Sequence, residues 1–246
     1  MKIILLHFLF CLFYGIGAFA QVNIGMDFTF MGSYANYKNT EYLLGHEKQF
    51  QPGFDIGFLT EAEITDFISL QVAFKYGNRR NNIIQAQVNA SEMSYQMHYL
   101  HTPILLKLKL KKGPFRWYTL FGPDIHYMFA GHINYKYFDG SQQSFSDSKF
   151  GFYNSKNSPI DFEVQDINRW QLGLVIGTGL EWKVMRHGKF LINIQYSGIH
   201  TFLSENQNQG PYHPDITSDF RFGLNSLGLN IAYLHKLTSI LKNLRK

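Results

Sequence analysis

Residues 170–183 read WQLGLVIGTGLEWK, and this stretch decides the fold. Large apolar side chains occupy almost every second position, from Trp170 through Ile176 to Trp182, and the positions between them carry glycines, Gln171 and Glu181. A period of two is that of a β-strand whose two faces meet different surroundings. Tryptophan at both ends is typical of a strand that crosses a bilayer, where aromatic girdles lie at the two interfaces. The stretch therefore predicts a membrane-crossing strand with a polar interior face.

Seven further segments alternate in the same way. They lie near residues 22–30, 54–63, 68–76, 99–110, 115–129, 189–197 and 220–234. A secreted β-sandwich would also alternate, with its apolar face turned inward. The length of most segments, near the ~9–11 residues that a tilted strand needs to cross a bilayer, favours the membrane barrel over the sandwich.

The connections between the segments alternate strictly between short and long. Short turns are expected near Thr65-Asp66, at 111–114 and at 186–188, and long connections at 35–51, 78–96, 131–166 and 201–219. Outer-membrane barrels have short periplasmic turns and longer external loops. The sequence therefore predicts an all-β fold over residues 21–234: an eight-stranded antiparallel up-and-down transmembrane β-barrel with both termini in the periplasm.

The first twenty residues predict export. Lys2 precedes an apolar run, and Ala18-Phe19-Ala20 offers small residues at the two positions that a signal peptidase reads. A retained helix is the alternative to this cleaved signal peptide over 1–20. The only cysteine, Cys11, would leave with the signal, so the mature chain excludes disulfides, thiolate metal sites and cysteine nucleophiles. We expect the cell outer membrane as the destination.

The predicted interior face is rich in charges of both signs. An eight-stranded barrel is just wide enough for its side chains to fill, and a buried charge without a partner is severely penalised. We therefore expect a salt-bridged plug, in which Glu63, Lys109, Lys183 and Lys189 also face inward. The predicted lumenal charge network consists of Asp27, Asp55, Glu61, Lys75, Lys107, Arg116, Asp124, His126, Glu181 and Arg221.

The two ends of the barrel differ in composition. The short turns and the tail over 235–246 carry most of the net charge of +5, which favours anionic lipid headgroups or an acidic partner. The tail spaces its leucines for a short interfacial helix, and ordinary fraying is the alternative. Aromatic residues among polar neighbours in the third long loop suit external glycan or protein contact, unless they only extend strands above the membrane. They include Tyr135, Tyr137, Phe138, Phe150 and Tyr153.

Two stretches resemble a known family. YLHTPILLK at 99–107, followed by FGP at 121–123, resembles a signature of the PorT-like outer-membrane β-barrel proteins of Bacteroidota. The glycine-rich segment 172–181 is similar to that family's sixth strand. The resemblance implies an outer-membrane barrel and little about activity, since most members are uncharacterised. One branch of the family serves in type IX protein secretion.

The last segment resembles the C-terminal signal that the barrel-assembly machinery reads. Ser226, Gly228, Ile231 and Tyr233 match its spacing, although further residues follow them. Phe222 and Leu224 fall on the opposite parity from the apolar residues after 226. A bulge near Asn225 would reconcile the two halves, because a bulge shifts side-chain facing by one residue.

Candidate chemistry is sparse. Asp124 and His126 share a face and form the one plausible acid–histidine pair, but no activated nucleophile accompanies them. His98 and His101 face opposite ways, which argues against joint metal ligation. We therefore predict a non-enzymatic protein without cofactor, metal or catalytic residues, in a structural, adhesive, envelope-assembly or secretion role. The alternative is a small lipase or acyltransferase acting on outer-leaflet lipid. Expected partners are outer-membrane lipids, the barrel-assembly machinery and other envelope proteins, and nucleic acid is excluded.

Overall fold

A computed structural model describes residues 21–37, 47–84, 90–110, 113–137, 140, 142–147, 169–184, 187–199 and 222–237. The predicted signal peptide, the tail beyond 237, Arg221, Phe138, Phe150 and Tyr153 lie outside these residues. Tyr135 and Tyr137 lie on a described strand, and only their backbone is described. Within the described residues, no helix is long and apolar enough to span a membrane.

The described chain forms ten strands. They are β1 (Gln21–Tyr37), β2 (Glu47–Gln49), β3 (Gln51–Glu63), β4 (Ile68–Ile84), β5 (Ala90–Lys109), β6 (Phe115–Tyr137), β7 (Gln142–Asp147), β8 (Trp170–Lys183), β9 (Gly188–Ile199) and β10 (Phe222–Lys236). Eight of them pair antiparallel in a closed ring, β1–β3–β4–β5–β6–β8–β9–β10, and β10 pairs again with β1. The short β2 and β7 pair with β4 and β6. The predicted eight-stranded antiparallel barrel is confirmed.

The two faces of the wall differ as parity predicts. Outward-facing side chains are large, apolar and exposed, as with Ile176 at 61% exposure, whereas the inward-facing Lys107 and Glu181 are at 0%. A soluble fold would bury the apolar face, because burying apolar surface drives folding in water. In this barrel the apolar face meets lipid, and the polar face forms the interior.

Aromatic pairs mark the two edges of the apolar band. Tyr127 packs on Trp170 with ring centroids 4.9 Å apart, and Phe115 stacks on Trp182 at 5.5 Å. Trp170 and Trp182 are twelve residues apart on β8. At ~3.3 Å per residue and a tilt of ~45°, that length rises about 28 Å, close to the hydrocarbon thickness of a bilayer. The aromatic pairs therefore lie where interfacial girdles belong.

Three tight turns close one end of the barrel, which we call the turn end. They lie at 64–67, 110–114 and 184–187, as the sequence predicts. In the first, the Thr65 hydroxyl accepts hydrogen bonds from the backbone amides of Phe67 and Ile68. In the second, Gly113 has a φ of 131°, a region that side chains with a Cβ rarely adopt. We call the opposite end, from which the other connections between barrel strands leave, the loop end.

The expected long connection at 78–96 is wrong. β4 continues to Ile84 and β5 begins at Ala90, so most of this segment is a paired hairpin, and β6 likewise runs to Tyr137. Parity could not detect these extensions, because beyond the apolar band neither face of a strand has to be apolar. We call them the loop-end wall, formed by β4 from 77, β5 to 97 and β6 from 130, with β2 and β7 at its sides.

The expected bulge near Asn225 is also wrong. The pairing of β10 with β1 runs without a register shift from Phe222 to Lys236, and Leu224 points inward at 2% exposure. An apolar residue can face inward here because this part of β10 lies near the loop end. Two register shifts occur between β5 and β6 instead, at Ala90/Glu92 and at His98/Tyr99.

Candidate functional site

The interior near the turn end holds six charged side chains, which we call the lysine–glutamate cluster: Glu61, Glu63, Lys107, Lys109, Glu181 and Lys189. Lys107 Nζ lies 2.6 Å from a Glu181 oxygen and 3.0 Å from a Glu61 oxygen. Lys189 Nζ donates to Glu61 at 2.8 Å and to Glu63 at 2.6 Å. Lys109 Nζ lies 3.5 and 3.6 Å from the same two glutamates. Three carboxylates thus face three ammonium groups, and the charge balances.

The cluster spans the barrel. Its members come from β3, β5, β8 and β9, so the ion pairs join strands that are not neighbours in the sheet. Lys107 also lies over the ring of Tyr118, with Nζ 4.3 Å from the ring centroid, a favourable cation–π distance. These contacts tie separate parts of the wall together through the interior.

A polar layer lies above this cluster, toward the loop end. Lys75 pairs with Asp27, and the amide of Asn230 donates to Asp27 and to Thr29 at 2.8 Å each. Asn193 donates to the Asn230 side-chain oxygen, also at 2.8 Å. The layer continues the hydrogen-bonded filling from one wall to the other.

Closer to the loop end, five buried residues form a second group, the histidine–aspartate cluster: Asp55, Arg79, His101, Asp124 and His126. His101 Nδ1 lies 3.1 Å from both oxygens of Asp124, and His126 Nε2 lies 3.1 Å from Asp124 Oδ2. On its other side, His101 Nε2 lies 3.3 Å from Asp55 Oδ2. Arg79 Nη2 approaches Asp55 Oδ2 at 4.0 Å. A carboxylate therefore lies on each side of His101.

The two imidazole rings of this cluster stack on each other. His101 and His126 stack with centroids 4.9 Å apart and planes within 2° of parallel. Tyr99 packs edge-on against His126, and Arg79 lies over the ring of Tyr99. Among the described residues, neither ring nitrogen of His126 has an aligned hydrogen-bond partner, despite its proximity to Asp124.

The structure brings most of the predicted network together, though not as one group. Asp27 pairs with Lys75; Glu61, Lys107 and Glu181 meet in the lysine–glutamate cluster; and Asp55, Asp124 and His126 meet in the histidine–aspartate cluster. Arg116 has a different role: its Nε donates to the Gly113 carbonyl at 3.1 Å and its Nη1 to the Asp66 carbonyl at 3.5 Å. It thereby braces two turns.

Two interior positions differ from the sequence prediction. Lys183, a predicted interior residue, is exposed at the end of β8. Arg79, which falls in the predicted long connection at 78–96, is buried in the interior. Arg79 has the same parity as Lys75, so continuing the alternation of β4 by four residues would have predicted that Arg79 faces inward. His101, which the predicted charge network omits, is buried in the histidine–aspartate cluster.

Small cavities remain in the filling. One is lined by Asp55, His101, Asp124 and Ser197, among others, and has a volume of about 10 Å³. A second of about 10 Å³ lies beside Asp27 and Asn230. Each has room for about one water molecule.

Residues 16–198 match the protein family described as "Outer membrane protein beta-barrel domain". The chain belongs to this family. Among solved structures it is similar to the outer membrane protein OprG from Pseudomonas aeruginosa, with 11% identity, 89% of this chain and 96% of that chain covered, and a TM-score of 0.49. It is also similar to Ail, the attachment invasion locus protein of Yersinia pestis, with 12% identity, 87% and 99% covered, and a TM-score of 0.41. The outer membrane protease OmpT from Escherichia coli aligns with 8% identity, 88% and 97% covered, and a TM-score of 0.31. No curated protein sequence matches the chain.

Proposed function

We propose that this outer-membrane β-barrel is a non-enzymatic structural, adhesive or assembly component of the cell envelope, with a closed interior and with its partners bound at its ends. The observation that carries the proposal is the filled interior. Lys107, Glu61 and Glu181 are fully buried and tied to one another across the barrel. A solute would have to break these pairs to pass, and breaking a buried pair is strongly unfavourable. A diffusion pore is therefore not the function that the interior supports.

The position of the acid–histidine pair supports a non-enzymatic protein. Asp124 and His126 are 1% and 0% exposed and face the interior, whereas outer-leaflet lipid lies against the opposite face of the wall. A general base must come within hydrogen-bond reach of the proton that it abstracts. The alternative function, a lipase or acyltransferase on outer-leaflet lipid, would require lipid to enter the filled barrel.

The loop-end wall supports a contact role at the outer end. β6 runs eight residues past Phe129, and β4 and β5 extend by similar lengths past the aromatic edge. Eight residues span about 26 Å along a strand. Tyr135 and Tyr137 lie on this part of β6, and with Phe138, Phe150 and Tyr153 they are our proposed external contact residues. Aromatic side chains are enriched at the centres of protein interfaces.

Several finer assignments belong to the same proposal. The turn end faces the periplasm, the signal peptide over 1–20 is removed, and the basic tail over 235–246 contacts anionic lipid. The barrel-assembly machinery inserts the chain, outer-membrane lipids surround it and nucleic acid is not a partner. The motifs at 99–107, 121–123 and 172–181 support membership of the PorT-like proteins of Bacteroidota. Type IX secretion, which one branch of those proteins serves, is one envelope assembly in which it would act.

Cross-linking in intact cells tests the contact role. We expect the full chain to co-purify with other envelope proteins, and a Tyr135→Ala/Tyr137→Ala variant to lose them because it removes aromatic contact area at the loop end. Phe115→Ala, at the turn end, is the control and should retain them. Equal recovery with both variants, or no enrichment over an unrelated barrel, would contradict an outer contact surface.

Two assays test the remaining parts of the proposal. Purified protein in planar bilayers should give no sustained conductance, and a stable open channel would overturn the closed interior. Incubation with labelled lipopolysaccharide should leave the lipid intact. Hydrolysis or acyl transfer that His126→Ala abolishes would establish the enzymatic alternative instead.

A further inference from the structure

Three potential metal ligands converge inside the barrel. His101 on β5 pairs directly with His126 on β6, and Asp124 lies two residues from His126 on the same inward face. One ligand atom from each lies within 4.8 Å of the others, and all three residues are buried. Two neighbouring strands in a fixed register therefore hold the three donors in place.

The distances between the donor atoms suit a tetrahedral zinc site. A tetrahedral zinc ion with bonds of ~2.0–2.1 Å to nitrogen and oxygen holds its ligands about 3.3 Å apart. The Asp124 carboxylate lies 3.1 Å from a nitrogen of each histidine, close to that spacing. An ion beside Asp124 Oδ2 would be within reach of all three side chains after small rotations.

Asp55 occupies the position of an outer partner. A metal-bound histidine almost always directs its other ring nitrogen at a carboxylate, carbonyl or water, which fixes the tautomer and the ring orientation. His101 has Asp124 at Nδ1 and Asp55 3.3 Å from Nε2. The order carboxylate–histidine–site is therefore present on the Asp55 side.

His126 is the observation that separates a metal site from a proton-linked network. A proton on His101 would serve its contact with Asp124 at Nδ1, while Nε2, 3.3 Å from Asp55, has no aligned partner among the described residues. That proton would not serve His126, which is fully buried and has no aligned hydrogen-bond partner for either ring nitrogen among the described residues. A buried polar group without a partner is destabilising, because it has lost its hydrogen bonds to water without replacing them. An ion that His126 ligates removes this cost at one nitrogen.

Charge and space also favour a cation. With neutral imidazoles, the cluster holds two carboxylates against the single guanidinium of Arg79, which leaves one negative charge. The cavity of about 10 Å³ beside Asp55, His101 and Asp124 has room for one water molecule as a fourth ligand. Three protein ligands and one water form a common zinc arrangement.

We propose that His101, Asp124 and His126 bind one divalent late first-row transition-metal ion, with zinc as the reference ion, and that Asp55 positions His101 from behind. Imidazole nitrogens suit zinc, copper, iron and nickel, whereas Mg²⁺ and Ca²⁺ prefer oxygen ligands. This metal site does not depend on the contact role proposed for the loop-end wall.

Metal content of refolded protein tests the site. Untagged full-length mature chain is denatured, stripped with a chelator, refolded in detergent with equimolar zinc, and separated from free ion by gel filtration. Because the site is enclosed, loading during refolding is essential. We expect one zinc ion per chain by elemental analysis, and tetrahedral d–d absorption bands when Co²⁺ replaces zinc.

Variants identify the ligands. His126→Ala and Asp124→Asn should each lose the stoichiometric zinc, and Asp55→Asn should weaken binding by about 10–100-fold, as loss of an outer partner does. His187 and His235 lie together at the turn end, with ring centroids 6.3 Å apart. The double variant His187→Ala/His235→Ala is therefore the control for surface binding and should keep its zinc.

Three results would overturn the site. One is a correctly folded wild-type barrel, recognised by its heat-modifiable gel mobility, that retains no zinc and shows no cobalt bands. Another is undiminished zinc in folded His126→Ala, and the third is loss of zinc only in the His187→Ala/His235→Ala control. If His126→Ala does not fold, the wild-type cobalt spectrum decides, because octahedral aquated Co²⁺ absorbs only weakly.

Discussion

The two charged clusters of the interior differ in how completely they satisfy themselves. In the lysine–glutamate cluster, every ammonium group lies within 3.6 Å of at least two carboxylates. In the lysine–glutamate cluster, two atoms lack an aligned hydrogen bond among the described residues, Lys109 Nζ and Glu181 Oε1. In the histidine–aspartate cluster, six atoms have no aligned hydrogen-bond partner among the described residues: both nitrogens of His126, two nitrogens of Arg79, His101 Nε2 and Asp55 Oδ1. The interior is therefore more completely paired at its turn end than at its loop end.

This difference separates two uses of buried charge. Balanced ion pairs close the barrel and stabilise it, because removing one partner leaves the others as buried, uncompensated charges. An unbalanced set retains donor atoms that another species can bind. The lysine–glutamate cluster at the turn end therefore acts as a structural plug, whereas the histidine–aspartate cluster nearer the loop end keeps donor atoms that can bind a ligand.

The largest effect is expected from Lys107→Met. The substitution leaves Glu61 and Glu181 without their closest shared partner, and breaking a buried pair costs about 3–5 kcal/mol. The free energy of unfolding in urea, measured in lipid vesicles, should fall by that amount. Lys183→Met, at the exposed end of β8, is the control and should change it by about 0.5 kcal/mol or less. Equal losses in the two variants would contradict a specific plug.

A charge placed on the outer face distinguishes interior effects from general effects of charge on the wall. Ile176 lies midway along β8 and faces lipid, so Ile176→Lys should cost about 2–4 kcal/mol. Trp182→Lys, at the edge of the apolar band, should cost about 0–1 kcal/mol. The same unfolding measurement applies, and a cost that does not depend on depth would argue against the bilayer position that we assign.

Asp124→Asn should have a smaller effect than Lys107→Met. The substitution removes the negative charge that His101 and His126 share, and an unsatisfied buried group costs about 1–3 kcal/mol. Without metal present, the loss should stay below that of Lys107→Met, because this cluster is already incompletely paired. The exposed Asp66→Asn in the first turn is the control and should change little. An Asp124→Asn loss that exceeds that of Lys107→Met would reverse our ranking of the clusters.

Salt should have the smallest effect. Buried pairs are screened much less than exposed ones, so the unfolding free energy should change by less than about 1 kcal/mol between ~0.1 and ~1 M salt. A steep loss of stability with salt would mean that water and ions reach the lysine–glutamate cluster.

Parity predicts the wall of this barrel well because lipid and interior impose opposite demands on successive residues. The outward Trp170, Ile176 and Trp182 and the inward Glu181 all follow from it. The prediction fails where the lipid ends. There, Arg79 and Leu224 face inward on strands that the sequence pattern had ended or had shifted by a bulge.

Which interior side chains contact each other is harder to predict than which face of its strand each side chain lies on. Parity gives the direction of a side chain, but contact across the barrel depends on the stagger between strands. Lys189 meets Glu61 although they are 128 residues apart. Within one hairpin the task is simpler: the turn at Gly113 fixes the register that puts His101 opposite His126. Locating that turn to within one residue would have revealed the stacked pair.

The pairing of β1 with β10 has a consequence for how the protein is made. These strands come first and last in the barrel, and fifteen residue pairs join them. Until β10 is present, the partners that it supplies to β1 and β9 are missing, and a bilayer core supplies no water to replace them. Without machinery that covers the open edges of β1 and β9, insertion therefore cannot proceed strand by strand. Unaided, the chain would have to stay outside the bilayer core until its final strand is available to close the barrel.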